Sequence, residues 1–212
     1  MDASGAWRRH GGTGLPLMVA VLAVSAAAQL PGRGGWVIGD TPESSSLEAA
    51  FGYGATVQLG PGERAVAWGV QTLSSRDPDD DLTLLGVRVR PTADDRHGAL
   101  AVRGDPYLFD DDRGSITGFA QFDSLPVPLP GPVDLVPRHA VHGYVLPPAG
   151  SAPDGTTPDV ELVVEFDAPT RVSSISGIEI DYEIGGRRHL LVVDAPVVVC
   201  PVGREVECRT DG

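Results

Sequence analysis

Four groups of residues in this chain have the types and spacing to do chemistry. The runs Asp77-Pro78-Asp79-Asp80-Asp81 and Asp110-Asp111-Asp112 set carboxylates at alternate positions, with Asp77, Asp79 and Asp81 in the first and Asp110 and Asp112 in the second. Calcium loops use oxygen ligands in that way. Leu82 stands where an EF-type loop turns on glycine, and no Glu closes the loop at its twelfth position, so solvated turns of an acidic chain are the competing reading. His139-Ala140-Val141-His142 is an HxxH pair, with His189 as a third candidate ligand. Residues three apart on a strand point to opposite faces, and HExxH is absent, so neither a metal site nor a cofactor is expected.

Cys200 and Cys208 are the two cysteines of the chain. In an oxidising compartment an even count pairs, and the spacing suits two short strands joined by a turn at Val202 to Arg204. Closing that loop stabilises the fold by about 2.5 kcal/mol on the chain-entropy account. The CxxC spacing of a redox pair is missing. Tyr107-Leu108-Phe109, set between acidic residues, is either a core plug or an exposed binding tip, and Trp36 and Tyr53 are further aromatics for stacking on a sugar ring. No G-x-S-x-G occurs, and serines cluster in loops such as Ser44 to Ser46. The expectation is a protein that is not an enzyme.

The elements that must hold these residues are strands. Val66, Trp68, Val70 and Thr72 alternate with small or polar residues, as do Leu85, Val87 and Val89. Val160, Leu162, Val164 and Phe166 alternate with Glu161 and Glu165, and Ile178, Ile180, Tyr182 and Ile184 with Glu179, Asp181 and Glu183. A period of two marks strands with one face on a core. Gly185-Gly186 supplies a tight turn into Arg187 and Leu190 to Val193. A two-residue turn sets Glu183 opposite Arg188, and a three-residue turn sets it opposite His189. Leu125 to Pro137 and Pro147 to Asp159 are rich in proline, which cannot donate to a ladder, and read as surface crossings.

Trp7-Arg8-Arg9-His10, the apolar run Leu15 to Ala28 and its final Ala26-Ala27-Ala28 have the layout of an export signal. Residues 1–28 are therefore read as a signal peptide or, if uncleaved, a signal anchor. Residues 29–50 read as a flexible lead-in, with Pro31-Gly32-Arg33-Gly34-Gly35. Residues 51–208 form the body, a single domain in preference to two small tandem ones. All 16 basic residues are arginine, and lysine and asparagine are absent. That bias fits a bacterial gene of high GC content. Beyond residue 28 the chain carries 28 acidic residues against 14 arginines. Nucleic acid and anionic lipid are poor partners for such a surface.

One resemblance ties these features together. Leu59-Gly60-Pro61-Gly62-Glu63 with Ala67-Trp68-Gly69-Val70, then Leu84 to Val89, then Gly177 to Tyr182 with Gly185-Gly186-Arg187, resembles immunoglobulin-like extracellular domains of uncharacterised envelope proteins from high-GC Gram-positive bacteria. The resemblance implies an all-β, immunoglobulin-like β-sandwich outside the membrane, and it brings no catalytic or ligand residues. The expected function is a secreted or envelope-anchored, monomeric, non-catalytic binding or structural module whose partner is another envelope or extracellular protein. The alternatives are a calcium-dependent or carbohydrate-binding adhesion module and a hydrolase whose site gathers His139 or His142 with a serine and an acid.

Overall fold

The computed structural model describes residues 37–49, 54–93, 95–109, 118–122, 138–204 and 208. The expected signal segment, Trp36, Tyr53, Asp110, Asp112 and the proline-rich stretch 125–137 lie outside the described residues. No helix among those residues is long and apolar enough to cross a membrane.

The regular structure of the described chain is nearly all β, with almost no helix. In order, the strands are β1 (Val37–Asp40), β2 (Leu47–Ala49), β3 (Ala55–Gln58), β4 (Ala65–Ser75), β5 (Leu82–Pro91), β6 (Gly98–Ala99) and β7 (Tyr107–Phe109). There follow β8 (Gly118–Phe122), β9 (Arg138–Ala140), β10 (Val145–Leu146), β11 (Asp159–Asp167), β12 (Ser173–Ile184) and β13 (Arg187–Cys200). Two sheets pack together. The first runs β1-β13-β12-β5-β10, with β3 also on β13 and β6 on β12. The second runs β2-β4-β11-β7-β9, with β8 also on β4. Each sheet draws strands from both halves of the chain, so neither half closes a sandwich alone.

The core lies between the sheets and holds Leu47, Val66, Trp68, Leu73, Leu84, Leu162, Phe166, Ile180 and Val193 among others. Trp68 and Phe166 stack with ring centroids 6.4 Å apart. Burying each such large apolar side chain stabilises the fold by roughly 1.5–3 kcal/mol.

The four core runs are strands, but two of them change face midway. Between β11 and β4 the register shifts, Glu161 pairing Thr72 and Val163 pairing Gly69. The extra residue in β4 turns Thr72 out and Leu73 in. Between β12 and β5 a second shift leaves Leu85 as the extra residue, so Leu82 and Leu84 enter the core ahead of Val87 and Val89. The expected inward Thr72 and Leu85 are thereby corrected. A bulge inserts one residue, and with a period of two that exchanges the faces.

The hairpin β12–β13 closes by the two-residue turn, with Ile184 opposite Arg187 and Glu183 opposite Arg188. Gly185 and Gly186 have φ of 55° and 71°, the left-handed pair that such a turn requires. Residues 37–49 of the expected flexible lead-in are instead part of the fold. They supply β1, parallel to β13, and β2, antiparallel to β4. Leu47 carries this segment into the core, fully buried. Cys200 and Cys208 are bonded, their Cα atoms 6.2 Å apart. Among the described residues no strand follows β13, and the bond ties Cys208 to the last residue of that strand. The proline-rich segment after β10 is, as expected, a crossing from the first sheet to the second.

Candidate functional site

Three polar assemblies and a cleft stand out among the described residues. The first sits where β1 leaves the edge of β13. Tyr182 is directly opposite His189 across the hairpin, and Ile38 of β1 lies beside His189. The two rings stack, centroids 5.1 Å apart. Tyr182 donates its hydroxyl hydrogen to Asp40 Oδ2, and His189 Nδ1 lies 3.0 Å from the same oxygen. Ser45 Oγ is 3.0 Å from the Tyr182 hydroxyl and accepts the Leu47 amide. Burial first, and then the hydrogen bond to Asp40, pushes the Tyr182 phenol up to about 12.

Serine, histidine and aspartate thus share one assembly, but not as a nucleophile and its base. The Ser45 hydroxyl is on Tyr182 rather than on the imidazole, and Tyr182 itself is fully buried. What this arrangement does is dock a four-residue edge strand onto the sheet by side-chain bonds. The sequence offered no sign of it, since Asp40 is 142 residues from Tyr182 and 149 from His189.

The second assembly lies on the face of the second sheet that points away from the inter-sheet core. Leu108 enters that core, while Tyr107 and Phe109 face the other way; all three are buried. Tyr107 donates to Glu165 Oε1 at 3.0 Å, and Arg138 Nη1 donates to the same oxygen at 3.1 Å. The Arg138 guanidinium also sits 4.3 Å over the Tyr107 ring. Burial, followed by the negative charge of Glu165, raises the Tyr107 phenol well above its ordinary value. The reading of Tyr107 and Phe109 as an exposed binding tip is therefore withdrawn, for a tip 7% and 1% exposed has no surface to offer. Glu161 and Glu165 are corrected as well. Their alternation with the core residues of β11 marks a solvent face, yet they are only 5% and 7% exposed. Arg138 and Tyr107 offset the desolvation of Glu165 by a charge and two hydrogen bonds.

The third assembly is the acidic loop. Asp77 Oδ1 accepts the amides of Asp79 and Asp80, each at 2.9 Å, which lowers the Asp77 pKa. That carboxylate is bonded to its own loop as a turn former. Among the described residues no three His, Cys, Asp or Glu groups come together as a metal site. The histidines are apart as well. His139 packs on Tyr144 with centroids 5.5 Å apart, His142 Nδ1 donates to the Leu85 carbonyl at 2.8 Å, and His189 is on Asp40. Neither His139 nor His142 meets a serine or a carboxylate among the described contacts.

The cleft is a feature that sequence reasoning missed. It opens over the end of the core where the chain crosses between the sheets, with a volume of about 410 Å³. Leu146 and Val160, both buried, line it together with the partly exposed Tyr144. Thr156, Thr157 and Asp159 give it polar groups. The crossing that walls it is tied down throughout. Ala149 N donates to the Asp77 carbonyl at 2.7 Å, Gly150 N to Thr157 Oγ1 at 3.0 Å and Gly155 N to the Ala152 carbonyl at 2.8 Å. Asp154 Oδ1 accepts both the amide and the hydroxyl of Thr156, which lowers the Asp154 pKa. The one sequence signal was the run of prolines and threonines from Pro147 to Pro158. No known protein family, characterised protein or solved structure matches the chain.

Proposed function

We propose that this chain is an exported, non-catalytic binding module of the cell envelope, built on an immunoglobulin-like sandwich, and that it binds through the cleft between β10 and β11. The cleft carries the proposal. It is concave, it is framed by a crossing bonded to itself and to the neighbouring loop, and its size falls within the ~300–1,000 Å³ of small-molecule sites. Binding there does not require the loop to be ordered first, which spares affinity. The ionisable groups of the two buried assemblies are committed to structural bonds instead. Export is supported by the basic, apolar and small-residue order of residues 7–28 and by a disulfide of the kind that persists in oxidising compartments.

A photo-activated cross-linker placed at Thr156 on intact cells tests this reading, with the same group at Val202, exposed and outside the cleft, as the control. A discrete adduct at Thr156 that is missing at Val202 is the expected result. Equal labelling at the two positions, or none at either, overturns the assignment.

A further inference from the structure

We infer that the cleft takes a neutral pyranose ring, an inference that rests on the cleft being the binding site proposed above. A sugar ring has an apolar C–H face and an edge of hydroxyls, each both donor and acceptor. The lining of the cleft is mixed in the same way, with Tyr144, Pro147 and Pro158, all partly exposed, as its apolar groups and Thr156, Thr157 and Asp159 as its polar ones.

The polar groups of the lining have hydrogen-bonding capacity to spare. Thr157 Oγ1 accepts from Gly150 N, which leaves its hydroxyl hydrogen to donate. Thr156 donates to Asp154, which leaves its oxygen to accept. The Asp159 carboxylate is exposed and makes no hydrogen bond or ion pair among the described residues, so two acceptor oxygens face solvent. Two vicinal hydroxyls are the natural donors to a carboxylate. Tyr144 packs against His139.

Other ligand classes fit less well. Anions are disfavoured because no Arg or His lines the cleft, Asp159 does, and the whole chain carries a net charge of −13. A quaternary or methylated amine is recognised by several aromatic faces, and here there is one ring. A metal ion finds a single carboxylate. A wholly apolar ligand would strip water from two hydroxyls and a carboxylate without replacing it. A folded protein partner needs about 800 Å² of surface on each side, more than such a cleft offers.

The sugar can be free or the end of an envelope polysaccharide. Saturation-transfer NMR on the full chain separates these sources with methyl β-glucoside, methyl β-galactoside, methyl N-acetylglucosaminide and cellobiose as probes and glucuronate as the charged control. The expected result is transfer to the ring C–H protons of at least one neutral glycoside, with a dissociation constant in about the millimolar range. Asp159→Ala, at an exposed strand end, should fold with an unchanged Tm and weaken binding at least about fivefold. A stronger signal from cellobiose than from the single rings assigns the site to a polymer, and the reverse assigns it to a free sugar. Unchanged binding in Asp159→Ala, or glucuronate binding as well as the neutral rings, overturns the inference. No neutral sugar bound at tens of millimolar overturns it as well. In that event a Thr156 photo-adduct with another molecule still upholds the binding module, whereas its absence removes both.

Discussion

Tyr182→Phe removes one oxygen atom and leaves the ring, its stacking on His189 and the packing of the core in place. The deleted hydroxyl joins Asp40, a carboxylate, to Ser45. A hydrogen bond to a charged group contributes about 1.5–3 kcal/mol and a neutral one about 1. Asp40 keeps His189 and Ser45 keeps the Leu47 amide, so the two do not add in full, and the expected loss at pH 7 is about 2–3 kcal/mol. Urea unfolding should show it as a lower midpoint at an unchanged slope.

The alkaline limb makes the test sharper. An unfolded tyrosine ionises near pH 10, whereas Tyr182 in the fold ionises at about 12. Between those values the unfolded chain binds fewer protons than the folded one, so stability falls as pH rises. A shift from about 10 to about 12 is worth roughly 2.7 kcal/mol once both values are passed. Wild type loses this contribution and the phenylalanine variant does not have it, so the gap between them should close from pH 10 to pH 12. A variant within about 0.5 kcal/mol of wild type at pH 7, or a gap that stays constant through pH 11, would refute the role given to this network.

Three further outcomes are expected. Gly177→Ala should abolish soluble folding or cost at least about 3 kcal/mol, because φ there is +152° and an added Cβ would meet the Val193 carbonyl oxygen at 2.0 Å; a normal Tm for the purified variant would contradict the β12 register. Arg138→Ala should cost about 1–2 kcal/mol, discounted because the arginine is about a third exposed, while Arg88→Ala, at the exposed pair with Glu179, should stay within about 0.5 kcal/mol; thermal melts that rank them the other way would remove the buried assembly. Replacing Cys200 and Cys208 together by alanine should lower stability by about 2.5 kcal/mol, as should reduction of the wild type, and a melt indifferent to reductant would show that the bond constrains little.

The strand character of the chain was legible because it is local. Alternation along Val160 to Phe166 and Ile178 to Ile184 follows from backbone pleating, and Gly185-Gly186 admits the positive φ of a two-residue turn. The pairing of Cys200 with Cys208 needed only their number and spacing. Faces were legible only up to the first bulge. Nothing local marks the extra residue in β4 or at Leu85, because a bulge is set by how two sheets meet. The candidate site was scarcely legible. The acidic runs and the HxxH caught the eye by spacing, yet Asp77 serves its own turn and the histidines part to different neighbours.

By itself the sequence determined that the described body is made of strands, where the main hairpin turns and which cysteines join, since each of these depends on residues a few positions apart. Only the tertiary structure decided that Glu165 is buried against Arg138 and Tyr107, that Asp40 meets Tyr182 and His189, and that Tyr144 and Asp159 share a cleft. Those facts depend on what packs against a face. A charge is buried at little cost only where a distant partner arrives to meet it.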